Sequence, residues 1–435
     1  MDRRQFLAAN AVVGAAAAIP TSAIAHPKER PSVMPANPGI DRDRASGIMR
    51  RMSLDALVVS RVENVRYATG AVPITTKLGF YDASFAVVPA DPAQPVGLLV
   101  FQFPYYFSIA DTGLNQGVQP VLVASGPTSE PVIFADGPHS KATMREMKRR
   151  SATFEAGTIH PDFPTALGAT LPSRLLRSGT IGFDTLEAMQ LIQQAAPGAN
   201  LVSGESTIRH MRLIKTAWEV DAMSHAAQVN REACHRAVRS VRLGDTISAV
   251  QASYGKHAAA LGSQPVFMVV DGVVAENVTE PVRDGTTFLI DGVSSRYGYY
   301  GDYGRTVFLG EPRKEIAGKA RAIGKAWSQL SSELKPGLKF SEISARGTAI
   351  LHSIEPSIAV PFGPHSVGLR HTEQPFTGFD GGPLDIALEP GMIISVDCPL
   401  MQATDQGTVH LEDLMLITAN GSRPIHAVDD QIIVI

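Results

Sequence analysis

The stretch from Phe288 to Gly310, FLIDGVSSRYGYYGDYGRTVFLG, constrains this chain more than any other. With the two threonines before it, it opens as an apolar, β-branched run (TTFLID), passes through the turn cluster SSRYG and resumes strand character in RTVFLG. Each half carries a carboxylate beside glycine, Asp291 in the first and Asp302 in the second. A carboxylate on a strand that otherwise reads as buried must be paired, hydrogen-bonded or bound to a cation, because a bare charge in a low dielectric is prohibitive. The hairpin therefore points to a metal site.

The 435 residues suffice for two ordinary domains, and 44% apolar content is that of a soluble globular protein. A net charge of −3 argues against the basic face that tracks nucleic-acid phosphates, so no nucleic-acid partner is expected. Cys234 and Cys398, with no CxxC pair, indicate neither a zinc knuckle nor a disulfide framework.

Residues 1–25 read as a twin-arginine signal: Arg3 and Arg4 precede the alanine-rich run LAANAVVGAAAAI, and Ala23-Ile24-Ala25 is a small-x-small cleavage pattern. The run is short for a membrane span, so the expectation is export in the folded state to the periplasm or the exterior, with no span after cleavage. Residues 26–44, rich in proline and charge, read as a linker. From 45 to 205, LDALVVS, VRYATG, FAVVPA, VGLLVF and TIGFDTL read as strands and DTLEAMQLIQQAA as a helix, which is an α/β domain. Its strands carry no clustered His, Asp or Glu, so it reads as a cover or assembly module. From 206 to 435, TAWEVDAMSHAAQVNREACHRAVRSV reads as a long amphipathic helix, followed by the hairpin, two helices around Lys335-Pro336-Gly337 and two strand-rich stretches, GMIISVDCPLM and TVHLEDLMLIT. Helices mixed with antiparallel sheet make this second domain α+β.

Asp291, Asp302, His365, Asp397 and Glu412 form one candidate cluster. The first two are 11 positions apart, the last two 15, and His365 lies between the pairs in the turn FGPHSVG. Oxygen ligands with one imidazole suit Mn, Co, Zn or Fe, and two ions close together need carboxylates to bridge them.

In order, these segments resemble the pita-bread metallopeptidase family, which includes aminopeptidase P, prolidase, methionine aminopeptidase and the metal-free creatinase. ALVVSRVENVRYATG is similar to the opening of the creatinase-type amino-terminal domain and RLIKTAWEVDAM to the start of the catalytic domain. LIDGVSSRYGYYGDYGRTV, PHSVGL, LEPGMIISVDCP and VHLEDLMLIT are similar to the two-aspartate, histidine, fourth-ligand and last-glutamate segments. The resemblance implies a creatinase-like α/β domain before a pita-bread catalytic domain, two divalent ions on Asp291, Asp302, His365, Asp397 and Glu412, a small peptide substrate and a homodimer. Several positions depart from the pattern. Asp397 replaces the usual glutamate that also shuttles protons, Pro361 and Thr372 stand where further histidines occur, and His410 replaces an arginine.

Those departures open roles for other residues. His371 becomes a candidate acid or base, and His410, on the same strand face as Glu412, a candidate for orienting a carboxylate. Glu373 either binds a substrate amine or caps a turn; Thr372 and Tyr303 are candidate substrate contacts, with ordinary strand packing the alternative for Tyr303. Cys398 reads as a small buried residue. The leading expectation is a dinuclear metallohydrolase of a small amide, like an Xaa-Pro aminopeptidase or dipeptidase, with Asp397 and His371 moving protons. The rivals are a C–N hydrolase or lyase on the same fold, acting on a small molecule, and a non-catalytic exported binding protein.

Overall fold

Apolar strands bounded by turn residues build three sheets in the computed structural model, which describes residues 37–125, 134–155, 158–282, 287–358, 360–374, 385–398, 407–428 and 431–435. Residues 1–36, which take in the segment read as a signal and most of that read as a linker, lie outside the described residues. Within the segment read as linker, a helix already begins at Arg42: Asp41 accepts a hydrogen bond from the Arg44 amide and caps Arg42–Arg51.

The first sheet takes β1 (Ala56–Val59), β2 (Ser84–Pro89), β3 (Val96–Phe101), β4 (Val118–Val123), β5 (Ile159–His160), β6 (Thr180–Phe183) and β7 (Asn200–Ser203), ordered β5-β4-β3-β2-β1-β6-β7. Pairs β1/β2 and β2/β3 are antiparallel and the rest parallel. The fully buried strands pack against helices Phe163–Thr170 and Leu186–Ala195. One expected strand is a helix. VRYATG belongs to Val62–Thr69, which buries Val65 and Tyr67 and ends on Gly70 at φ +78°. Its valine and tyrosine favour strand locally, but the left-handed glycine is the stop signal of a helix.

The second sheet contains β8 (Gln264–Val270), β9 (Thr287–Arg296), β10 (Tyr299–Phe308) and β15 (Ile432–Val434), in the order β15-β10-β9-β8. It is antiparallel apart from the β10/β15 pair. The long helix Ala217–Arg239, started by a capping box of Thr216 and Glu219, packs with Ile247–Ala260 on one face of it. That face takes Phe288, Ile290, Tyr303 and Val307. Residues adjacent on a strand point to opposite faces, so Asp291 and Asp302 lie on the other one.

Both strands run through the segment read as a turn cluster. The turn is only Tyr297-Gly298, at φ +55° and +85°, and Ser294 to Arg296 pair with Tyr299 to Gly301. Two left-handed residues match the twist of a two-residue hairpin. The two aspartates accordingly sit in mid-strand.

The third sheet, β11 (Gly363–Ser366), β12 (Ile393–Asp397), β13 (Met415–Ile417) and β14 (Ser422–Pro424), is antiparallel throughout and packs with helices Lys314–Glu333 and Phe340–Ile354. In TVHLEDLMLIT only Met415–Ile417 is ladder strand; Thr408 to Glu412 form an arm across the hairpin. Glu412 and Gly304 exchange backbone hydrogen bonds of 3.1 and 3.3 Å, and the Thr306 hydroxyl donates to the His410 carbonyl at 2.9 Å. The arm joins the two sheets and brings their acids together. No described helix is long and apolar enough to cross a membrane.

Candidate metal centre

The hairpin provides two acids on one face: Asp302 is opposite Val293, and Gly304 is opposite Asp291. Gly304 has to be glycine, because a Cβ there would overlap the His410 ring and come within 3.0 Å of the Glu412 Cβ. The third sheet provides His365 on β11 and Asp397 at the end of β12, and the arm provides His410 and Glu412.

All five expected residues converge. His365 Nε2 lies 3.3 Å from Glu412 Oε1, 3.5 Å from Asp397 Oδ2 and 3.6 Å from Asp302 Oδ2. Asp291, His410 and Glu412 form a second group whose ligand atoms lie within 4.8 Å of one another. His371 joins the cluster with Nε2 at 3.1 Å from Asp302 Oδ2, while its Nδ1 meets the Thr372 hydroxyl at 3.0 Å. His410 Nε2 lies 3.6 Å from Glu412 and 3.8 Å from Asp397, on the face that strand alternation predicts.

The electrostatics are those of a site built around positive charge. Asp291 Oδ1, both Asp302 oxygens, Glu412 Oε2, His365 Nδ1 and both His410 nitrogens are buried without a hydrogen-bond partner. Buried acceptors with no donor are costly, and a cation is the group that satisfies several at once. Burial, then the charge of Glu412, pushes the Asp291 carboxyl up to about 8 and that of Asp397 to about 6, and drives Asp302 well above the carboxylate range. Glu412 moves the other way: burial opposes ionisation, but the hydrogen bond with His365, the close approach of His410 Nε2 at 3.6 Å and the charge of both imidazoles outweigh it. For His410 burial is likewise overridden, chiefly by Glu412, and its imidazolium persists to about 9. His371, desolvated and facing His365, falls to about 4. The donor set of carboxylates and imidazoles fits Mn, Co, Zn or Fe.

Two expected contacts lie elsewhere. Tyr303 points away from the acids; its hydroxyl meets His235 Nε2 at 2.8 Å, and its ring packs in the helix-facing core. Being next to Asp302 on one strand, it had to take the other face. Glu373 is not available to a substrate amine: it is buried, accepts from Arg212 at 2.7 Å and caps the turn through the Leu369 amide at 3.0 Å. Among the described residues, Thr372 meets the cluster through His371. Cys398 is buried, and both cysteines are free. Ser395 went unanticipated. It pairs with His365 across β11 and β12 and donates to Glu412 Oε1 at 2.6 Å. Its place two residues before Asp397, on the same strand face, was the available signal.

A carboxylate–imidazole cluster held between two sheets, in a chain that also carries an α/β domain, is the arrangement of a metal centre. Residues 216–419 match the model of metallopeptidase family M24, and residues 42–214 that of the creatinase/prolidase N-terminal domain. The chain belongs to the M24, or pita-bread, family. A probable dipeptidase PepE of Mycobacterium tuberculosis is 24% identical over 265 residues, 58% of this chain and 69% of that one. The prolidase structure from Pyrococcus horikoshii superposes with a TM-score of 0.64 at 18% identity, covering 89% of this chain and 98% of that one. An X-Pro aminopeptidase structure from Thermotoga maritima gives 0.63 at 16%, covering 91% and 99%. These two establish a shared fold.

Proposed function

We propose that the protein hydrolyses an amide bond in a small peptide, in the manner of an Xaa-Pro dipeptidase or aminopeptidase, with two divalent ions held by Asp291, Asp302, His365, Asp397 and Glu412. The observation that carries this is the convergence of these donors with so many buried oxygens and nitrogens unpartnered. The ions would supply neutralising charge, polarisation of the substrate carbonyl and an acidified water.

The chain's own residues divide the remaining work. Asp397, with a side chain 34% exposed, is open to solvent, and a carboxylate so placed can pass protons between the site and water. It takes the proton of the nucleophile and delivers it toward the leaving amine. His371, partly exposed and neutral at pH 7, gives or accepts a hydrogen bond at the open side of the cluster. Ser395 and His410 fix the Glu412 carboxylate from two sides. We also propose export by the twin-arginine route and assembly as a homodimer.

The test is hydrolysis of Xaa-Pro peptides by the purified chain, with bound metal measured on the same sample. Cleavage that requires a divalent ion is expected. Full activity in a sample holding none overturns the reading.

A further inference from the structure

Where β9 turns into β10, beside the acid cluster, lies a cavity of about 550 Å³ whose wall carries four cations, Arg66, Lys77, Arg296 and Arg370, against one carboxylate, Glu63. The proposed hydrolysis makes no use of it. Part of its wall is the same hairpin face that carries the acids: Ser295 and Tyr300 are paired across the strands, and the next pair inward on that face is Val293 with Asp302. Two residues of strand separate Tyr300 from Asp302, about 7 Å.

The cations are not equally committed. Arg370 donates to Glu63 at 2.6 Å and has Glu205 at 3.7 Å, so its charge is balanced. Arg296, only 8% exposed, donates to the Leu261 carbonyl at 3.2 Å and lies over the Tyr297 ring, with no carboxylate against it among the described residues. Arg66 reaches the Tyr297 carbonyl at 3.3 Å, also without an acid, and burial lowers its guanidinium from the ordinary value. Gly298 makes room for Arg66, since a Cβ there would overlap it. Lys77 stands exposed on the cavity wall. Guanidinium groups kept out of water without a counter-charge are costly, and a planar carboxylate is the anion their fork fits.

We infer that this cavity is a subsite for a substrate carboxylate, held roughly two residues' length from the bond that is hydrolysed. The inference rests on the hydrolase reading and narrows it to acidic peptides. A dipeptide's own terminal carboxylate lies within one residue, about 3.5 Å, of its peptide bond and falls short. The carboxylate therefore belongs to an acidic side chain or to the end of a longer peptide.

The test is calorimetric binding of three probes to the full chain, with and without Mn(II): acetyl-Ala-Ala-Glu amide, acetyl-Ala-Ala-Gln amide and acetyl-Ala-Ala-Gln with a free terminus. A carboxylate probe should bind about tenfold more tightly than the neutral amide, the scale of one charge-assisted hydrogen bond. The Glu amide reads the side chain and the free terminus reads the chain end. The preference should weaken with salt and disappear in Arg66→Gln; Lys77→Ala, an exposed position that folding tolerates, should reduce it. Equal binding of all three probes to the wild type, or a preference untouched in both variants, overturns the subsite. A preference in a chain that cleaves no peptide, with or without metal, overturns the hydrolase reading alone.

Discussion

Gly304 and Gly292 lie on neighbouring strands of one hairpin and face opposite ways, which makes a paired experiment. In Gly304→Ala the new methyl group meets the His410 ring and stands 3.0 Å from the Glu412 Cβ. Carbon atoms need about 3.5–4.0 Å, so ring and arm must retreat by on the order of 1 Å. In Gly292→Ala the methyl group meets Cys234 Sγ and approaches Tyr254 to 3.3 Å, on the helix-facing side. Overpacking of this kind costs about 1–3 kcal/mol, so both variants should lose stability by similar amounts in urea unfolding. Their metal binding should differ. Displacing a group that orients a ligand lowers metal affinity about 10–100-fold, so Gly304→Ala should lose that much in a Mn(II) or Co(II) titration while Gly292→Ala keeps wild-type affinity. Unchanged affinity in Gly304→Ala, or an equal loss in Gly292→Ala, would refute the assignment of this face to the metals.

Further outcomes follow from the electrostatics. In the metal-free chain, Asp291 releases its proton near 8 when folded against 3.8 ordinarily, so the folded state loses stability as pH rises from about 4 to about 8. His410, raised from 6.5 to about 9, contributes stability that is full below its ordinary value and lost as pH rises through 9, in the same direction. Thermal melts without metal should therefore show a falling midpoint between pH 5 and pH 9, a slope that saturating Mn(II) removes. Glu373→Gln leaves the Arg212 guanidinium buried beside a neutral amide and should cost about 3–5 kcal/mol in chemical unfolding, with metal affinity unchanged.

The proposed ligand set was legible in the sequence because its signals were local. An acid beside glycine inside a β-branched run is conspicuous, and so is a histidine beside Gly-Pro, although that histidine lies in strand β11, paired with Ser395, and not in the turn expected. Alternation also placed His410 with Glu412. It should equally have excluded Tyr303, which follows Asp302 on one strand and must take the other face. What stayed hidden is long-range. The Arg212–Glu373 pair joins positions 161 apart, and no periodicity encodes such a partner. The helix Val62–Thr69 was obscured by residues that prefer strands, since tertiary packing overrides propensity in so short a segment. The hairpin turn was masked by a tyrosine at positive φ, a conformation that this side chain seldom adopts.

If acids from two sheets and one imidazole share cations, counting the metal shows it directly. Elemental analysis of the purified chain, alongside Asp302→Asn, should find two divalent ions per wild-type chain and fewer in the variant. A wild-type chain that binds no divalent ion, or a variant that binds as many as the wild type, would contradict it.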